Sequence, residues 1–210
     1  GGVAVTAGGL VFQGNATGEF VVYDAHTGKA LWRFDAQNGI LAQPITYRAG
    51  GRQYVTVITG FGGTAAGFGP QVAQYGWDYR SQKRRVLTFA LDGKAALPPR
   101  ETIAPAALVR QEGLKLDEAK IDEGVAVYAQ HCFICHGLSV VAGGSAPDLR
   151  MSPVVADADA FRAVVKEGGL QMNGMPKFDT LSEGELVALR HYIAYRARNS
   201  KPIPASKPTR

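Results

Sequence analysis

Residues 128–137 read Tyr128-Ala129-Gln130-His131-Cys132-Phe133-Ile134-Cys135-His136-Gly137 and hold both cysteines of the 210-residue chain. Two thiols one helical turn apart, followed at once by an imidazole, constrain this chain more than anything else in it. The spacing Cys-x-x-Cys-His is that of a c-type haem attachment site, where the thiols become thioethers and the histidine approaches the iron. A bare Cys-x-x-Cys also suits a zinc knuckle or a redox dithiol. Zinc asks for a second ligand pair, yet there is no third cysteine, and His26 and His191 stand alone. A thioredoxin-like dithiol follows a strand, whereas a helical pattern leads into this motif.

Downstream residues sharpen the reading. Pro147 follows His136 by 11 residues, and Asn173-Gly174-Met175-Pro176-Lys177-Phe178 places a thioether 39 residues after it. An imidazole ligand needs its second nitrogen hydrogen-bonded to hold the ring, and a loop carbonyl near Pro147 is expected to do this. A methionine between glycine and proline on a stiff loop suits a sixth ligand. With these features, residues from about 117 to 198 resemble a class I cytochrome c. The resemblance implies an all-α domain carrying covalent haem c, with Cys132 and Cys135 as thioether cysteines and His136 and Met175 as axial ligands. Pro147 then belongs to the loop that supports the histidine. Met172 is a competing ligand and Met151 a more distant one.

Periodicity supports helices there. Val125, Tyr128, Ala129 and Cys132 fall at i, i+3, i+4 and i+7, predicting the face that delivers the cysteines. Residues 158–167 predict a short helix stopped by Gly168-Gly169. Ser182-x-x-Glu185 is a capping box opening a last helix with Leu186, Leu189, Tyr192 and Ile193 on one stripe. By the resemblance, the first and last helices cross where Gly124 and Tyr128 meet Leu189 and Tyr192.

The first 95 residues read as strands instead. Leu10–Gln13, Glu19–Tyr23, Ala30–Phe34, Ile45–Tyr47, Gln53–Ile58 and Val86–Ala90 are short β-rich runs separated by glycine-containing turns, an antiparallel meander at propeller-blade spacing. Within it, Val22-Tyr23-Asp24-Ala25-His26-Thr27-Gly28-Lys29-Ala30-Leu31-Trp32 resembles the tryptophan-docking repeat of the eight-bladed pyrroloquinoline quinone (PQQ) dehydrogenases, with Val22 where alanine is usual. Asp24 is placed to accept the turn's amides, Gly28 to take a positive φ and Trp32 to pack between blades. Phe89-Ala90-Leu91-Asp92-Gly93-Lys94 is a degraded second copy without its tryptophan.

One such repeat followed by a cytochrome c on the same chain resembles the order of the quinohaemoprotein alcohol dehydrogenases. The fold class implied is multidomain: an all-β partial eight-bladed propeller segment (1–95), a Pro-rich linker (96–116), an all-α class I cytochrome c domain (117–198) and a basic flexible tail (199–210). The resemblance further implies PQQ and calcium in a missing N-terminal portion, so no catalytic residue is assignable here. It implies as partners the remainder of the propeller and an external electron acceptor: a soluble cytochrome, a copper protein or ubiquinone. Covalent haem attachment implies a periplasmic location, and a chain beginning Gly1-Gly2-Val3 without a signal is expected to be a processed or partial product. The alternative is a non-catalytic electron carrier with a β-rich docking module. A self-contained β domain is the plainer reading of the first segment, but a lone blade leaves apolar faces and edges open.

The glycine-rich stretch Gly60–Pro70 lacks the Gly-Lys-Ser/Thr ending of a P-loop. The resemblance puts it over the quinone cavity, with Phe61, Phe68 or Trp77 at a substrate entrance; a flexible excursion is the plain alternative. Arg80, Lys83, Arg84 and Arg85 are expected to be a solvated face. The formal charge of +5 (23 basic minus 18 acidic residues) equals the Arg196, Arg198, Lys201, Lys207 and Arg210 cluster at the end of the chain, so nucleic-acid binding is not expected. That end is expected to be solvated and mobile.

Overall fold

Strands come first and long helices second, as the change of periodicity near residue 115 dictates. β1 (Val3–Val5), β2 (Leu10–Gly14), β3 (Glu19–Asp24) and β4 (Ala30–Asp35) form one antiparallel sheet in sequential order. β5 (Ile45–Ala49), β6 (Arg52–Thr59) and β7 (Arg85–Ala90) form a second. The computed structural model describes residues 1–60, 64–73, 75, 79–80, 83–100 and 107–201. All six strands read from the sequence are present. The seventh, β1, is only three residues long and gains its partner through the register Ala4↔Phe12.

The turn between β3 and β4 forms as its residues dictate. Asp24 Oδ1 accepts from the His26 amide at 3.0 Å, the Thr27 amide at 2.8 Å and the Thr27 hydroxyl at 2.9 Å, and Gly28 takes φ +70°. The Thr27 amide, first among these bonds, holds the Asp24 carboxyl below its ordinary value. Beyond the turn, Trp32 stacks on Phe34 at 5.8 Å and meets Phe89 of the second sheet edge-on at 5.4 Å. Phe20 touches Phe89 as well, at 5.3 Å. The repeat's tryptophan therefore sits where the two sheets join, over a core of Phe20, Ala36, Ile40 and Val57. In the degraded copy, the Asp92 carboxylate pairs with the Arg52 guanidinium instead of capping its own turn.

Two single-turn helices, α1 (Thr64–Gly67) and α2 (Pro70–Ala73), interrupt the path from β6 to β7, with Phe68 exposed between them. Phe61 and Trp77 lie outside the described residues.

The second half packs α3 (Glu118–His131), α4 (Phe133–His136), α5 (Ala158–Val165) and α6 (Glu183–Arg198). Side chains cap each long helix: Asp117 accepts from the Lys120 amide, Asp157 from the Ala160 amide, and Ser182 and Glu185 complete the capping box in both directions. α3 crosses α6 at Gly124, with Ala188, Leu189 and Tyr192 opposite and the Tyr128 and Tyr192 rings edge-on at 5.4 Å. The buried face of α3 differs from the expected one. Val125 and Ala129 are exposed, and Gly124, Val127 and Tyr128 are buried. The reason is that α6 approaches where a side chain is missing, and an apolar pattern gives a glycine no weight.

The stretch expected to be a linker, 96–116, is docked at both ends. Pro98 O accepts from Gln37 Nε2 at 2.8 Å, and Arg100 pairs with Asp35 at 3.2 Å. At its far end, Val109 N donates to Arg150 O at 2.8 Å, and Arg198 donates to the carbonyls of Arg110 (2.8 Å), Leu114 (2.7 Å) and Gln111. Arg196 Nε donates to Ser139 O at 3.0 Å. Arg196 and Arg198, expected to belong to a solvated end, are thus fastened to backbone carbonyls, because α6 continues through both. Residues 101–106 and 202–210, the middle of the linker and most of the expected basic tail, lie outside the described residues. Among the described residues, no helix is long and apolar enough to cross a membrane.

Candidate haem-attachment site

The attachment run forms because α3 ends there. Cys132 N donates to Tyr128 O at 2.9 Å as the C-cap of α3, and its own carbonyl accepts from the amides of Cys135 at 3.2 Å and His136 at 2.9 Å to start α4. One residue thus closes one helix and opens the next, and Cys132, Cys135 and His136 are displayed on a single tight turn. Cys132 is half-buried, its thiol pushed up to about 12 by burial and then by the neighbouring Cys135. Cys135 is exposed, and Ser145 Oγ donates to its carbonyl at 3.0 Å.

His136 is buried, with Nδ1 2.8 Å from Pro147 O. A proton on Nδ1 donated to that carbonyl leaves the Nε2 lone pair available as a ligand. Burial lowers the imidazole's pKa, while the Pro147 bond and the Asp148 charge oppose the shift.

The Pro147 carbonyl is itself anchored by a pair that periodicity could not reveal. Arg150 is almost fully buried and grips Asp148 with two donors, Nε to Oδ1 at 2.9 Å and Nη2 to Oδ2 at 2.7 Å. Asp148 also accepts from the amides of Arg150 at 3.1 Å and Ala142 at 3.2 Å. A buried fork of this kind is geometrically stiff, so the loop from 142 to 150 is held as one piece. The only sequence signal was an acid and a base two apart, directly after Pro147.

Met175 follows Gly174, which is left-handed, and packs half-buried on the cluster that also receives Cys132, Phe133, Leu149 and Phe178. Met172 points away, 99% exposed, and Met151 is half-buried in a turn with Leu149. The structure therefore brings Met175 and Cys132 to one cluster and leaves Met172 outside it. Two further features escaped sequence reasoning: the Tyr128 hydroxyl donates to Gly137 O at 2.8 Å, and Val140, wholly buried, adopts φ +62°. Burial raises the Tyr128 phenol. Among the described residues, no three His, Cys, Asp or Glu side chains gather as metal ligands, so a zinc reading finds no ligand set there.

Comparison with known proteins divides the chain in the same way. Residues 1–55 match the family model of the glucose/ethanol/alcohol dehydrogenase β-propeller domain, and residues 119–193 match that of cytochrome c oxidase, cbb3-type, subunit III. The quinohemoprotein alcohol dehydrogenase ADH IIB of Pseudomonas putida is 42% identical over 199 residues, covering 93% of this chain and 28% of its own length. The dehydrogenase subunit of the alcohol dehydrogenase (quinone) of Gluconobacter oxydans is 39% identical, over 95% of this chain and 26% of that one. Of solved structures, quinohemoprotein alcohol dehydrogenase ADHIIG from Pseudomonas putida HK5 superposes over 94% of this chain and 28% of its own, with TM-score 0.78 and 33% identity. The Comamonas testosteroni enzyme gives 0.71 at 34% identity over 96% of this chain. The chain thus spans little more than a quarter of the length of these relatives.

Proposed function

We propose, from the premise that this chain is homologous to part of the quinohaemoprotein alcohol dehydrogenases, that it is the C-terminal portion of such an enzyme and its electron outlet. Residues 1–95 then complete the propeller, 96–116 link, and 117–198 form the cytochrome c domain. The observation that carries the proposal is the Cys132–His136 turn with the Pro147 carbonyl on His136 and Met175 on the adjoining cluster, all downstream of two propeller-like sheets.

These residues fit haem c on their own chemistry. Two unpaired cysteines sit one turn apart, a buried histidine has one nitrogen already occupied, and a thioether borders the same apolar cluster. Cys132 and Cys135 would hold the group through their sulfurs, and His136 and Met175 would supply ligands to its iron. Such a group accepts and returns one electron, and a methionine opposite histidine raises its potential, which suits an acceptor of electrons from a reduced quinone. The protein's part is to hold the ligands still. Asp148 and Arg150 fix the Pro147 carbonyl, that carbonyl fixes the His136 tautomer, and the core cluster that includes Val127, Leu189 and Ile193 backs Cys132 and Met175.

Exposed apolar side chains on the sheets support the first half of the proposal. Val5, Leu31, Ile45, Tyr47, Ile58 and Val86 all face outward, as strands do when further blades normally cover them. The reading places PQQ and calcium in those further blades, an alcohol as substrate there, and a soluble cytochrome, a copper protein or ubiquinone as acceptor in the periplasm. The test uses the whole protein loaded with haem, PQQ and calcium: added alcohol should bring up the reduced haem bands without any other protein. Reduction that needs a separate reductase would make the protein an electron carrier and overturn the proposal.

A further inference from the structure

The described contact between the two halves includes a place where backbone meets backbone. Gly69, between α1 and α2, lies against the turn that leaves the attachment run. A β-carbon at Gly69 would stand 2.8 Å from Leu138 N and 2.9 Å from Leu138 O, with Val141 O closer still. From the other side, a β-carbon at Gly137 would stand 3.1 Å from Gly69 Cα and 2.8 Å from Val141 C. No flexible side chain lies among these atoms to give way. Two residues earlier, a β-carbon at Gly67 would stand at ordinary contact distance, 3.6 Å, from the backbone of Ile134, between the cysteines.

The partner segment is held in a costly shape. Ser139 and Val140 both have positive φ, +57° and +62°, a conformation that is unfavourable for a β-branched residue such as Val140. Such a conformation persists only if its surroundings determine it. Tyr128 fixes Gly137 from the α3 side through its hydroxyl, Arg196 holds the Ser139 carbonyl from α6, and Gly69 closes the third side.

We propose that Gly69 is a positioning residue: its bare Cα lets the first half seat directly on residues 137–141 and so sets where the Cys132–His136 turn stands relative to the quinone. The inference rests on the reading above, in which electrons leave the propeller through this turn. The seat acts on distance and orientation, with no part in alcohol chemistry or in iron ligation.

The experiment takes the whole loaded enzyme with Gly69→Val and follows haem reduction by alcohol in stopped flow, beside reduction of a small dye that takes electrons at the quinone. Electron transfer falls off steeply as donor and acceptor separate, so a turn pushed off its seat should slow haem reduction severalfold. Dye reduction and the haem spectrum should stay as in the wild type. Gly50→Ala controls for backbone strain, because Gly50 has φ +54° and nothing within 4 Å; it should leave haem reduction unchanged. If Gly69→Val does not accumulate, Gly69→Ala meets the same backbone atoms with one methyl and takes the same readout. Haem reduction at the wild-type rate in the Gly69 variant would overturn the proposal. A wild-type haem that alcohol never reduces would instead sink the dehydrogenase reading.

Discussion

Gly124→Ala is the smallest change with a large expected effect. A methyl at this point of α3 would lie 2.8 Å from both Ala188 C and Tyr192 Cβ, and closer to Ala188 O. Two of the three atoms are backbone of α6, so rotamer changes cannot relieve the collision and the helices must part. Around the crossing, Tyr128, Ala188, Leu189 and Tyr192 are all buried, so parting loosens the centre of the larger core. Overpacking of this kind costs about 1–3 kcal/mol, and rigid backbone on the far side puts Gly124 near the top of the range. Against this, alanine gains up to about 1 kcal/mol over glycine in helix propensity. The net expectation is a loss of about 2 kcal/mol. For a domain of this size, that lowers Tm by about 8–16 °C. The assay is thermal unfolding of the haem-loaded protein followed by its helical circular dichroism. Gly184→Ala is the matched control: Gly184 lies in the first turn of α6 with only Ser182 Oγ near, at 3.9 Å, and should leave Tm level or slightly higher. A Gly124→Ala protein as stable as the wild type would show that the helices do not cross at contact distance there.

Ligation, linker and pH each supply a further test. Met175→Ala should abolish the sulfur-to-iron charge-transfer band of the haem-loaded protein, whereas Met172→Ala should spare it; the reverse result would move the ligand to Met172. Arg198→Ala removes the donor to three carbonyls of the docked linker, a loss of about 1–2 kcal/mol for a half-exposed charge-assisted cluster. Cleavage between residues 107 and 116 in limited proteolysis should then rise about 5- to 30-fold, and an unchanged digest would mean that other contacts hold the linker. The Ser182 amide, first among its causes, holds the Glu185 carboxyl below its ordinary value. A lowered carboxylate stabilises above its unfolded pKa and loses that contribution as pH falls through the folded value. Glu185→Gln should therefore lower Tm at neutral pH, and the gap to wild type should narrow steadily in acid; a gap independent of pH would refute the charged capping box.

What the amino-acid order determined by itself was whatever depends on near neighbours. The Cys132–His136 turn needs only five residues, the Asp24–Gly28 turn closes with its own side chain, and the capping box spans Ser182 to Glu185. Six strands were legible from composition and turn spacing for the same reason. The crossing of the first and last helices was legible only through resemblance to a known family. The tertiary structure decided the rest. α3 turned its glycine side inward, and not Val125 and Ala129, because α6 approaches where no side chain obstructs it. The Asp148–Arg150 fork, the Arg198 hold on the linker and the seat of Gly69 on residues 137–141 join atoms that are polar, backbone or absent, so hydrophobic periodicity carries no trace of them. They exist because a chain, once packed, leaves buried charges and carbonyls that must find partners and bare backbone that admits close neighbours, and a pairing such as Arg198 with Arg110, across 88 residues, is decided in space and not along the chain.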